Sequence, residues 1–398
     1  APASSPQWTS WTAGNNVEVV LVHGDEVLSA GWGGLTVWNR TNGEIVARYT
    51  TADGVPNPYV MALLSDPNSG QLWIGTDGGL VTFDGEDWVY YTSDDGLDSD
   101  TISALGWWND TLVAGTTYSD KRGGGLNLFD GKQWSDLPDF PSANPDAKPD
   151  RLANSVNAIL TDHNGGLWVA TQNGLGRYDG QSWTRFSVDD GLPANNVRTL
   201  YLDAAGTLWV GAEEGAAKFN GDAFEPTEQG PSYGVYGIAQ DAQGRYWFSG
   251  GSGVWRFDPA NGDWQEFSNQ TGDLPSYTMY SAAIDADGNL YFGSDGSGVV
   301  QYDGQQFNVW RVPNVPGLAS FGQIVAPPDR NELWFVQEYG GRVDTLDLAS
   351  ETWSALPEQE CGCWPLLFGP DGTMYGAQWD VFWIVQGSQA TRVGVDEG

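Results

Sequence analysis

A five-residue pattern, Leu-Trp-aliphatic-small-Thr, recurs along this chain and limits what it can fold into. It reads as VLSAG from Val27, LWIGT from Leu72, LVAGT from Leu112, LWVAT from Leu167 and LWVGA from Leu208. Further on come YWFSG from Tyr246, LYFGS from Leu290, LWFVQ from Leu333 and MYGAQ from Met374. The steps between the nine copies are 45, 40, 55, 41, 38, 44, 43 and 41 residues. A steady period of about 43 residues marks an array of one supersecondary unit, stacked because no single copy buries both its faces.

The unit itself is clearest between Ser155 and Asn196. Four short apolar runs, VNAILT, LWVAT, LGRYDG and SWTRFS, are separated by Gly, Asn and Asp, residues that accept turn geometry. They read as one four-stranded antiparallel sheet with Asp-Gly hairpin signals, followed by a polar exit loop, DDGLPANN. The expectation is therefore an all-β chain: a single closed β-propeller of nine four-stranded blades, with eight as the alternative. One domain, 1–398, holds repeats starting near 17, 59, 102, 155, 197, 235, 278, 321 and 364. The long step contains two loop insertions, at Thr116 and ending at Asp150, and no linker. Residues 7–16, QWTSWTAGNN, match a fourth strand plus exit loop, so the N-terminal strand is expected to close the ring and cover an open sheet edge.

Composition agrees. Gly supplies 54 residues of 398, well above the usual share of about 7%, and Trp (21) and Tyr (16) are abundant, as in all-β folds with many tight turns. No apolar run of about 18 residues is present, so no membrane-spanning helix is expected. The small-residue opening APASSP suits a mature exported chain, placed outside the cell, at its surface or in the periplasm. With 17 Lys and Arg against 52 Asp and Glu, the net charge of −35 argues against nucleic-acid binding and favours a cationic partner.

The strongest copies, LWIGTDGGLVTFDGEDWVYYTSDDGL (72–97) and LWVATQNGLGRYDGQSWTRFSVDDGL (167–192), resemble the two-component regulator propeller repeat. The resemblance runs along essentially the whole chain. It implies the propeller fold and, by analogy with such repeats, an extracellular sensor or surface module of a bacterium. The chain shows no kinase segment.

Residues able to carry chemistry are few. His23 and His163, the only histidines, fall in first-to-second strand turns and are not placed as general bases. Asp285, Asp287 and Asn289 alternate as in a calcium loop, but the distal Glu of such a loop is missing; turn chemistry is the expectation, with no cofactor required and Ca2+ as the minor reading. Cys361 and Cys363 form a C-x-C pair, read as a local disulfide or free thiols rather than metal ligands. Asn39, Asn109 and Asn269 begin glycan acceptor patterns.

A propeller presents its second-to-third loops and its inter-blade loops on one face, where function is expected to sit on a rigid scaffold. The second-to-third loops carry Trp32, Asp77, Tyr118, Lys121, Arg122, Gln172, Asn173, Glu213, Glu214, Asp295, Glu338, Tyr339 and Trp379; the inter-blade loops add Tyr59, Asn196, Tyr233 and Tyr277. These differ from copy to copy while the scaffold repeats. The Trp of each Leu-Trp pair is instead read as packing between blades. The first reading is an exported, non-catalytic propeller that binds a protein or glycan partner through this face. A lyase or hydrolase acting through mouth carboxylates, Glu213 and Glu214 first, is the competing class, and a structural part of a surface assembly is a third.

Overall fold

A computed structural model describes residues 12–85, 87–117, 124–138, 155–316, 323–328, 330–336, 343–355, 366–369, 373–378, 381–386 and 389–394. Nine four-stranded antiparallel sheets stand there, one for each repeat, with strands in chain order. In the fourth sheet the strands are Val156–Thr161, Leu167–Thr171, Gly174–Tyr178 and Trp183–Phe186. The chain divides into two compact units, 16–311 and 1–15 with 312–398.

Within 16–311 lie seven sheets. Their inner strands are Val17–His23, Val60–Ser65, Ile102–Trp108, Val156–Thr161, Val197–Leu202, Val235–Gln240 and Met279–Ile284. Each packs on the next, and the seventh packs on the first. This corrects the expectation of one ring of nine. The repeats are nine, but the ring they build in this unit returns after seven. The fourth residue of the Leu-Trp pattern shows the step. A Cβ on Gly75 would stand 2.8 Å from the carbonyl of Ile102 on the next inner strand; a Cβ on Gly293 of the seventh sheet would stand 2.6 Å from the carbonyl of Val17. Only a small residue admits that approach. Farther out, Arg40 of the first sheet reaches Asp285 and Asp287 of the seventh at 2.9 and 2.8 Å, and Trp38 meets Trp310.

The other repeated residues are scaffold with identifiable tasks. Trp168 is 2% exposed, its Nε1–H donates to Asp162 at 2.9 Å, and its ring packs on Phe186 of its own sheet and Phe219 of the next. Trp247 repeats this with Asp241, and Tyr291 with Asp285. The Thr closing the pattern ties the following turn: Thr76 and Thr171 donate to the carbonyls of Gly79 and Gly174. In the exit loops, Thr92 with Asp95 and Ser187 with Asp190 form capping boxes. The side chains of Asp100 and Asn195 accept from the backbone of Ser93 and Val188, seven residues earlier. In the second unit Asn15 makes the same bond with Val312, 297 residues away, at 2.7 Å. Asn15 thus bonds the loop that leaves the seventh sheet; the strand expected from the match at residues 7–16, and closure by it, lie outside the described residues.

The second unit holds the last two sheets, 323–355 and 366–394. Their inner strands, Gln323–Val325 and Leu366–Phe368, have three residues each and touch one another.

Candidate ligand site at the channel mouth

All seven inner strands of 16–311 contain an irregularity at one place. The first strand residue pairs regularly, the second is skipped, and pairing resumes at the third. Such a bulge leaves one residue out of the ladder and re-aims its side chain. The skipped residues are Glu18, Met61, Ser103, Asn157, Arg198, Tyr236 and Tyr280, all half-buried. All seven line one cavity of about 660 Å³ along the inner strands. Beyond this ring the wall mixes apolar residues, Val20, Leu200, Ile238, Ala282 and Ile284, with Thr199, Tyr201 and Ser281.

A second ring stands above the first. The residue opening each second-to-third loop bonds through its N–H to the carbonyl just before the inner strand: Asp77 to Tyr59, Gln172 to Ser155, Glu213 to Asn196, and Asp295 to Thr278. Sequence reasoning reached this upper ring. Asp77, Glu213, Asp295 and Trp32 are exposed around the mouth, and Gln172 and Asn173 are half-buried. Glu214 is an exposed turn residue, and Asn173 accepts from Arg185 through its carbonyl. Tyr233 and Tyr277 are 60% and 45% exposed. Tyr118, Lys121, Arg122, Glu338, Tyr339, Trp379, Cys361 and Cys363 lie outside the described residues.

The lower ring was missed. Strict alternation would treat Glu18, Arg198, Tyr236 and Tyr280 as ordinary strand positions; the signal available was variation at the second residue of each inner strand.

The mouth is uneven in character. Trp32 and Tyr59 stack at 4.0 Å and 14°, and Tyr236 and Tyr280 lie 6.0 Å apart at 31°. Among them sits Glu18. Burial pushes its carboxyl up to about 7, the Trp32 N–H bond opposes this, and the charge of Asp295 adds to it. Burial first, then Glu18 and Asp77, raise the Tyr59 hydroxyl to about 12; burial, Asp295 and Glu18 raise Tyr280 as well. On the opposite side Arg198 lies over Tyr236 at 5.8 Å. Its guanidinium donates twice to Glu213 Oε2, at 2.9 and 2.7 Å, and Asn196 adds a third bond. Glu213, a candidate catalytic carboxylate, is thus held in an ion pair. Asp295 accepts from Asn16 at 3.0 Å and Asp77 from Thr101 at 2.7 Å.

Away from the mouth, His23 meets Ser65 at 3.1 Å and His163 lies beside Gly206, both at strand turns as expected. Asp285 accepts from Asp287 and Asn289 within its turn, and the guanidinium of Arg40 pairs with the carboxylates of Asp285 and Asp287. Burial works to raise the Asp285 carboxyl, but the bonds from Asn289, Tyr291 and Arg40 hold it below the usual range. No cluster of three or more ligating side chains is found among the described residues.

The described fold is that of a β-propeller with a lined central channel. Residues 150–173 and 191–214 match the family model described as two component regulator propeller, so the chain carries that repeat. Similar solved structures include the extracellular domain of BT4673 from B. thetaiotaomicron, described as part of a hybrid two component system. It is 16% identical, with a TM-score of 0.42, covering 95% of this chain and 60% of that one. This chain therefore spans about 60% of that domain's length. The GH74 enzyme of Niastella koreensis has a TM-score of 0.56 at 13% identity, covering 96% of this chain and 73% of that one. The WD40 β-propeller domain of Doa1 gives 0.54 at 16% identity, covering 76% and 97%. These likenesses show the fold alone. No curated protein matches the chain.

Proposed function

We propose that this protein is a ligand-recognition propeller, exported from a bacterial cell, whose channel mouth in residues 16–311 receives a ligand or the tip of a partner. The observation that carries the reading is the ring of seven bulge residues. One backbone irregularity, repeated seven times, sets seven side chains of six kinds along one cavity. A purely structural ring has no need to vary what it points inward. Export rests on the repeat type, which resembles that of extracellular sensor modules.

One observation favours a second reading. Glu18, with its carboxyl at about 7, has the property wanted of a general acid at neutral pH. An enzyme acting on polysaccharide or peptide would then use Glu18, not Glu213 or Glu214, with Asp295 or Asp77 as the second carboxylate. One screen tests both readings. Oligosaccharides, peptides and small amines are scored for binding by thermal shift and for turnover by mass spectrometry. Hits should weaken at least about tenfold in a Tyr236→Ala/Tyr280→Ala variant; hits indifferent to that variant sink the mouth assignment. Turnover lost in Glu18→Gln would establish the enzyme, and binding without turnover would remove it.

A further inference from the structure

We propose that the mouth is built for an organic cation with an apolar body, its ammonium group held among Glu18, Trp32, Tyr59 and Tyr280. This deepens the reading above and rests on it. Aromatic faces carry negative potential and attract a desolvated cation, most strongly Trp. Here Tyr59, Tyr236, Tyr280 and the half-buried carboxyl of Glu18 line the cavity, and Trp32 joins them by stacking on Tyr59 and bonding Glu18. The cation-repelling group of the rim, Arg198, is neutralised by Glu213. Below the ring Val20, Leu200, Ile238 and Ala282 suit the apolar body of such a cation, with Thr199, Tyr201 and Ser281 among them. A bare metal ion would want clustered oxygens, not rings. An anion would meet Glu18, Asp295 and Asp77 on a chain of net charge −35.

The seat also titrates. Asp295 from the seventh sheet is the acid that acts on Glu18 directly; Tyr59, which also feels Asp77 of the second sheet, and Tyr280 both feel the charge of Glu18, while Tyr236 lies towards the Arg198–Glu213 pair. A bound cation favours the ionised carboxylate, so binding near neutral pH releases a proton from Glu18. Titration calorimetry with benzyltrimethylammonium, against the neutral 3,3-dimethylbutan-1-ol, tests this on the full chain. The cation should bind at pH 8 about tenfold more tightly than at pH 6, with proton release. Glu18→Gln should flatten that profile and weaken binding at pH 8 by about tenfold. Absence of cation binding, or equal binding of the neutral alcohol, overturns the inference. If instead an oligosaccharide binds and is lost in Tyr236→Ala/Tyr280→Ala, the mouth is a binding site and only the cation assignment fails. If the cation binds but ignores that double variant, both fail.

Discussion

Glu18 sits between Val17 and Val19 on the first inner strand, and its place there costs stability. Its ordinary carboxyl value of 4.5 rises to about 7 in the folded chain, chiefly through burial. The sign follows from which form the fold prefers. The folded state holds the proton more tightly than the unfolded chain, so the contribution is intact below about 4.5 and is lost as pH rises towards 7. Above 7 the native state carries a partly desolvated carboxylate, a penalty of roughly 2 kcal/mol after discounting for residual solvent. Glu18→Gln removes the charge at similar size. The variant should therefore melt several degrees above the parent at pH 8 and at about the same temperature at pH 4, as circular dichroism at the two pH values would show. An equal gain at both would mean that Glu18 is not the titrating group. This residue also marks where sequence reading stopped. Alternation along VEVVLV gives no cue that the register skips one residue, and it is the skip that turns Glu18 into the channel.

The repeat holds two kinds of tryptophan, one inside the Leu-Trp pattern and one in the loop that follows it, and the structure separates them as the sequence did. Trp247 is fully buried, its N–H is satisfied by Asp241, and its ring stacks on Phe267 and packs against Tyr302 of the next sheet. Trp32 is 40% exposed at the mouth. Trp247→Ala should cost about 3–5 kcal/mol in urea unfolding through the cavity it leaves and the loss of the Asp241 bond. Trp32→Ala should cost under about 1 kcal/mol while impairing ligand binding. Comparable losses for both would undo the division into scaffold and mouth. Strands and hairpin turns were legible because each has a local signature, the short apolar run and the aromatic-Asp-Gly turn; the Thr that ties its turn and the Ser or Thr three residues before Asp became visible only with the structure. The number of sheets per ring was not. Each copy specifies only the fit to its neighbour, Gly75 against Ile102 or Gly211 against Val235, and that fit is the same after any number of steps. What ends the ring is Gly293 meeting Val17, a contact between chain segments 276 residues apart, and no period reports it. The upper mouth residues were legible because loops vary openly; the lower ring was hidden inside strands.

At the scale of the molecule, residues 16–311 contain a complete set of contacts. Every inner strand of this span has a neighbour on both sides, among the described residues the channel wall comes from this span, and the separate hydrophobic clusters bridge successive sheets, as Trp168, Leu175 and Phe186 join Leu208, Val210 and Phe224. A ring with no unpaired inner edge has no need of further sheets to bury its core. The fragment 12–316 adds the one remaining piece, the Asn15 side chain that bonds Val312 through both its amide nitrogen and its oxygen. Expressed alone, it should unfold in a single cooperative transition and keep the pH-dependent response of the mouth, with the same loss in Glu18→Gln. Asn15→Ala in the fragment should lower its stability by about 1–3 kcal/mol, because it leaves the buried N–H and carbonyl of Val312 without their partner. A fragment that aggregates or melts without cooperativity would show that the seven-sheet ring depends on residues 317–398; one that folds but no longer binds what the full chain binds would show that the site extends into them.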